Sequence, residues 1–78
     1  MKLERTTPQH LPDEDIVAES DHQDEYAAAF LYCTPSDVHY LFTVGQDDSE
    51  AWYLVYGADE EDPLLFVTIR ELLRTQQG

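Results

Sequence analysis

Three short segments rich in aromatic and β-branched residues, parted by turn-forming ones, constrain the fold more than any other feature. They are residues 26–33 (YAAAFLYC), 38–44 (VHYLFTV) and 51–56 (AWYLVY). Thr34-Pro35-Ser36-Asp37 separates the first two, and the break GQDDSE from Gly45 to Glu50 separates the last two. Strand-favouring side chains with turn chemistry at this spacing predict an antiparallel meander. The alanines at 27–29 leave the first segment open to a helical reading as well.

The C-terminal stretch admits two readings. In the favoured one, Leu64 to Val67 is a further short strand, and Thr68-Ile69-Arg70-Glu71 is a capping box that opens a two-turn helix. In the other, Asp62 caps a helix with Pro63 at its first position, running to Gln76. Both place Ile69, Leu72 and Leu73 on an apolar stripe that docks on the sheet. Both also leave Arg70 and Arg74 in the final turns, where the helix dipole favours cations.

Residues 1–14 carry two prolines and little apolar surface, and read as a mobile or irregular N-terminal arm. Residues 15–78 then form a single small α+β domain. Ile16-Val17-Ala18 suits an edge strand or one helical turn, and residues 20–25 read as a loop. The expected fold is a small antiparallel sheet of three to four strands in a meander, with one C-terminal helix packed on it. One helix cannot cover both faces of such a sheet. Either the arm covers the second face, or its aromatic side chains are left as a contact surface.

With 42% hydrophobic and 12% aromatic residues in 78, the chain has enough apolar surface for one core. Its charge is less ordinary. Seventeen acidic residues face four Lys and Arg, a formal net charge of −13. The cations are Lys2, Arg5, Arg70 and Arg74, so none lies between Thr6 and Ile69, where every acid except Glu4 and Glu71 falls. Coulomb repulsion disfavours direct contact with nucleic acid or an anionic membrane. In a meander, hairpin loops alternate between the two ends of the sheet. Asp21, Asp24, Glu25, Asp47, Asp48 and Glu50 are thus expected at one end, with Asp37 and Asp59, Glu60, Glu61 and Asp62 at the other, about 20 Å away at ~3.3 Å per residue.

No motif for a cofactor or catalytic centre stands out, and a non-enzymatic protein is expected. The acidic runs lack the spacing of a calcium loop. His10, His22 and His39 form no paired-histidine or Cys/His motif, so a zinc site would need assembly from scattered positions. Ser20-Asp21-His22 brings triad residue types together in sequence, but a triad is defined by geometry. Cys33, the single cysteine, has no neighbouring base in sequence and reads as structural. One cysteine, no apolar span and no leader-like start suggest a reducing cytoplasmic setting.

Two functional expectations follow. One is an acidic binding protein whose partner is a basic protein, in the limit a DNA mimic that inhibits a nuclease or another nucleic-acid-binding protein. Its contacts would be the acids Asp21, Asp24, Glu25, Asp47, Asp48, Glu50 and Asp59 to Asp62, with Trp52 and Tyr53 as aromatic anchors. A dimer through an exposed sheet face is compatible with it. The alternative is a small cytosolic domain of a halophilic organism, whose acidity keeps it soluble in salt.

Overall fold

The computed structural model describes residues 1–7, 15–22 and 26–77. The chain is α+β: five antiparallel strands and one C-terminal helix. The strands are β1 (Lys2–Thr6), β2 (Asp15–His22), β3 (Tyr26–Cys33), β4 (His39–Gly45) and β5 (Glu50–Tyr56), followed by α1 (Leu65–Gln77). Their order across the sheet is β1-β5-β4-β3-β2. The expected meander of β3, β4 and β5 forms, β2 adds to it as an edge strand beside β3, and β1 returns to pair with β5 at the far edge.

Two corrections concern the strand count and the helix. Lys2–Thr6, expected as part of an irregular arm, is a strand whose partners run from Tyr56 to Trp52. Its one large apolar side chain, Leu3, is 4% exposed and joins the core, which anchors a strand of otherwise weak propensity. Residues 8–14, the rest of that arm, lie outside the described residues. The polar stretch from Ser20 to His22, expected in a loop, extends β2 instead. The sheet therefore has five strands rather than three or four.

The helix begins at Leu65, so the favoured strand over residues 64–67 does not form. Asp62 explains why. Its Oδ1 accepts from the Leu64 amide at 2.9 Å, and its carbonyl accepts from the Leu65 amide at 3.1 Å. These contacts satisfy amides that a helix start leaves without partners. Starting early also lines up Leu65, Ile69 and Leu73 at four-residue intervals, each 2–3% exposed. A strand at 64–67 would lose Leu65 from that stripe.

Parity along the strands divides the sheet into two faces. Leu3, Ala29, Leu31, Leu41, Tyr53 and Val55 face the helix and form the core with its stripe. Thr43, 1% exposed, shares this face and reaches the Ala51 carbonyl at 3.4 Å. The opposite face carries larger rings, among them Phe30, Tyr32, Tyr40, Phe42 and Trp52, all half-buried. Phe42 and Trp52 pack with centroids 4.8 Å apart, and Tyr32 lies 5.6 Å from Trp52. The helix thus takes the face with smaller side chains, where it can approach closely, and the rings pack laterally on the other.

Both edges carry features that discourage further strand pairing. β2 has register shifts between Ile16 and Ala18 and between Ser20 and His22. β1 places Lys2 over the Tyr56 ring at 5.7 Å and Arg5 over the Tyr53 ring at 5.5 Å. Arg5 also donates to the Trp52 carbonyl at 2.9 Å.

Candidate functional site

The strand register brings the loops to the two ends of the sheet. His22, Tyr26 and Gly45 are aligned across β2, β3 and β4, so the β4–β5 turn shares an end with the β2–β3 connection. Cys33 and His39 are paired at the opposite end, where the β3–β4 turn and the β5–α1 connection lie. Asp47, Asp48 and Glu50 stand exposed at the first end, while Asp37, Asp59, Glu60 and Glu61 stand exposed at the second. Asp62 is half-buried where it caps the helix. Asp24 and Glu25 lie outside the described residues, as does the side chain of Asp21 on β2. Trp52 is half-buried among rings on the face away from the helix. Tyr53 is 7% exposed beneath Arg5 on the helix side, so it is a core residue and not a surface anchor.

The two hairpin turns have the same construction. Asp37 N donates to the Thr34 carbonyl at 2.9 Å, and Thr34 N to the Val38 carbonyl at 2.8 Å. In the other turn Asp48 N donates to the Gly45 carbonyl at 3.0 Å, and Gly45 N to the Ser49 carbonyl at 2.7 Å. This is the three-residue hairpin loop in which a tight turn is followed by a left-handed residue. Asp37 and Asp48 fill that position with φ of 63° and 64°. A side chain at Gly45 would place its Cβ 2.5 Å from Ser49 Oγ and 2.8 Å from Asp47 Oδ1, so it would displace the hydrogen-bonded Asp47–Ser49 pair.

Local donors hold the carboxylates in place. Asp47 Oδ1 accepts from the Ser49 hydroxyl at 2.6 Å and its amide at 3.2 Å, which holds the Asp47 carboxyl below its ordinary pKa. Asp59 Oδ1 accepts from the Glu61 amide at 3.1 Å. Glu4 Oε2 accepts from the Tyr56 hydroxyl at 3.2 Å. Partial burial, with the Glu4 charge behind it, pushes the Tyr56 hydroxyl upward.

At the Cys33 end a mixed cluster forms. The ligand-type atoms of Cys33, Asp37, His39 and Glu60 all lie within 4.8 Å of one another. His39 Nε2 is 2.5 Å from Glu60 Oε1, and the His39 side chain is 11% exposed. The Cys33 thiol lies 3.6 Å from Asp37 Oδ1 and 3.5 Å from the Thr34 carbonyl, either of which can take its one proton. Partial burial raises the thiol pKa, and the Asp37 hydrogen bond and the Glu60 and Asp37 charges push it the same way. A depression of about 430 Å³ adjoins the cluster, lined by Asp37, His39, Leu54, Tyr56 and Gly57 among others.

Sequence spacing conceals this grouping. Cys33 reads as lacking a neighbouring base, yet the hairpin pairs it with His39. The available signal was the Cys-x-x-x-Asp-x-His run across a tight turn; Glu60 arrives from a distant loop. Ser20-Asp21-His22 falls on β2, and the side chains of Asp21 and His22 lie outside the described residues.

No protein-family model, curated protein or solved structure matches the chain. Among the described residues, no helix is long and apolar enough to cross a membrane.

Proposed function

We infer that this protein is a small acidic binding module whose partner is a basic protein, in the limit one that binds nucleic acid and is inhibited by mimicry of DNA. The observation that carries this reading is how the carboxylates are held. Asp47, Asp59 and Asp62 are oriented by backbone amides and a hydroxyl, and Glu60 by His39. Lys2 and Arg5 are turned to rings on β5 at the sheet edge. Carboxylates oriented in this way keep their charge available to an external cation.

The magnitude supports the same reading. The molecule measures 32 × 26 × 21 Å and carries a net charge of −13. Duplex DNA of similar length, about 30 Å, carries roughly 18 phosphate charges at one per ~1.7 Å. Trp52, beside Phe42 and Tyr32, would add ring contact on the sheet face away from the helix.

The test is retention of a basic nucleic-acid-binding protein at moderate ionic strength, with displacement by competing duplex DNA. Asp47→Asn/Asp48→Asn/Glu50→Gln and Asp59→Asn/Glu61→Gln are each expected to weaken retention tenfold or more, as rim charges do in steered complexes. Retention that ignores both the neutralised acids and the DNA competitor would refute mimicry. Absence of any basic partner would leave the acidity to salt adaptation.

A further inference from the structure

We propose that Cys33, Asp37, His39 and Glu60 bind one divalent transition-metal ion of borderline softness, Zn²⁺ or an ion of similar preference. The proposal does not rest on the partner-binding reading: it shares Glu60 with it but draws on thiolate and imidazole chemistry that charge display does not require.

Geometry is the first argument. Tetrahedral Zn²⁺, with bonds of about 2.0–2.3 Å, places its ligand atoms about 3.3–3.8 Å apart. Cys33 Sγ and Asp37 Oδ1 are already 3.6 Å apart, and no pair in the cluster exceeds 4.8 Å. An ion entering between His39 and Glu60 replaces their hydrogen bond with two metal bonds, opening the 2.5 Å contact by about 1 Å toward the tetrahedral separation. Side-chain rotation of Glu60, which is 38% exposed, supplies that movement.

The ligand set is the second argument. A thiolate and an imidazole select Zn²⁺ or Co²⁺ over Mg²⁺ and Ca²⁺, which take oxygen ligands. This separates the cluster from the exposed acids of the β4–β5 turn, Asp47, Asp48 and Glu50, which offer oxygen alone. On binding, the Cys33 sulfur gives its proton to solvent and its lone pair to the metal.

The scaffold is the third. Cys33 and His39 are paired residues of adjacent strands, so the sheet fixes their separation. Asp37 is placed by the Thr34 hydrogen bonds of its turn, and Glu60 lies in a loop closed by the Asp62 amide bonding the Asp59 carbonyl. His39 follows the face of Leu41 and Thr43, and its ring is 11% exposed beside two carboxylates where the core ends. The adjoining depression gives an ion a path to His39 and Asp37.

The test is a Co²⁺ titration of the full reduced chain, read by absorption. Binding at one ion per chain should give intense tetrahedral visible bands and a thiolate-to-cobalt charge-transfer band, both lost on adding Zn²⁺. Cys33→Ser should remove the charge-transfer band. His39→Gln should weaken affinity by about 100-fold and Glu60→Gln by about tenfold, in the range that disrupted metal shells show. Asp47→Asn/Asp48→Asn, at the other end of the sheet, should leave the spectrum unchanged. Far-UV circular dichroism checks each fold; if His39→Gln unfolds, Cys33→Ser and Glu60→Gln decide. A weak octahedral spectrum that survives Cys33→Ser, or one lost equally in Asp47→Asn/Asp48→Asn, would overturn the assignment. Failure of the unmodified chain to retain any basic partner, with its cobalt spectrum intact, would strike the binding reading alone.

Discussion

Asp37 and Asp48 occupy the same position in successive hairpin loops, each in the left-handed region with φ of 63° and 64°. Aspartate tolerates this conformation better than most residues, but glycine adopts it without a Cβ penalty. Asp48→Gly is therefore expected to be neutral or stabilising by up to about 1 kcal/mol, and Asp48→Val destabilising by about 1–2 kcal/mol. Urea denaturation followed by circular dichroism measures both. A clear loss of stability with glycine would show that the carboxylate, not the backbone, sets the preference.

The core is small enough for one truncation to matter. Leu41 is 0% exposed and Ile69 is 2% exposed, on opposite sides of the sheet–helix interface. Leu41→Ala should cost about 2–5 kcal/mol and Ile69→Val about 0.5–1.5 kcal/mol. Since a domain of this size holds only about 3–5 kcal/mol, the first should leave a substantial unfolded population and the second a shifted melt. Differential scanning fluorimetry with urea controls separates the two.

Phe42 and Trp52, with centroids 4.8 Å apart, test the other face. A double-mutant cycle to leucine at both positions should give a coupling of about 0.5–1.5 kcal/mol, the range for tilted ring pairs. Urea denaturation followed by circular dichroism measures it, and in Phe42→Leu the emission of Trp52, the sole tryptophan, reports the packing directly. Additive effects would mean that the rings share the face without supporting each other.

Asp47 supplies a pH dependence whose sign is fixed. Its folded-state pKa is lowered by Ser49, so its contribution is present above the ordinary aspartate range. That contribution is lost as pH falls through the lowered folded value. Ser49→Ala should return the Asp47 titration upward toward the ordinary range and remove this acid-side loss. Carboxyl chemical shifts followed from neutral to acidic pH measure it; an unchanged Asp47 titration in Ser49→Ala would contradict the assignment.

What was legible in the sequence was what local chemistry specifies. The central strands announce themselves through aromatic and β-branched runs between turn residues, and the turn acids fall at the ends the meander requires. β1 was not legible, because a strand whose only large apolar side chain is Leu3 is held by pairing with β5 and not by propensity. The helix start is not legible because Leu-Leu-Phe-Val has strand-like composition, while the decisive contacts belong to Asp62. The Cys33–Asp37–His39–Glu60 cluster depends on hairpin register and on a loop brought back across the sheet, neither of which spacing alone reveals.

Pairing β1 with β5 also sets an order of assembly. During synthesis residues 2–6 are made before the other strands, yet their hydrogen-bonding partners at 52–56 come after all of them. The hairpins among β2 to β5 can close between chain neighbours as they appear. β1 must remain unpaired until β5 has been made, and its docking closes a longer loop than any hairpin of the sheet. The strand made before the others is therefore the last of the five to find its partner.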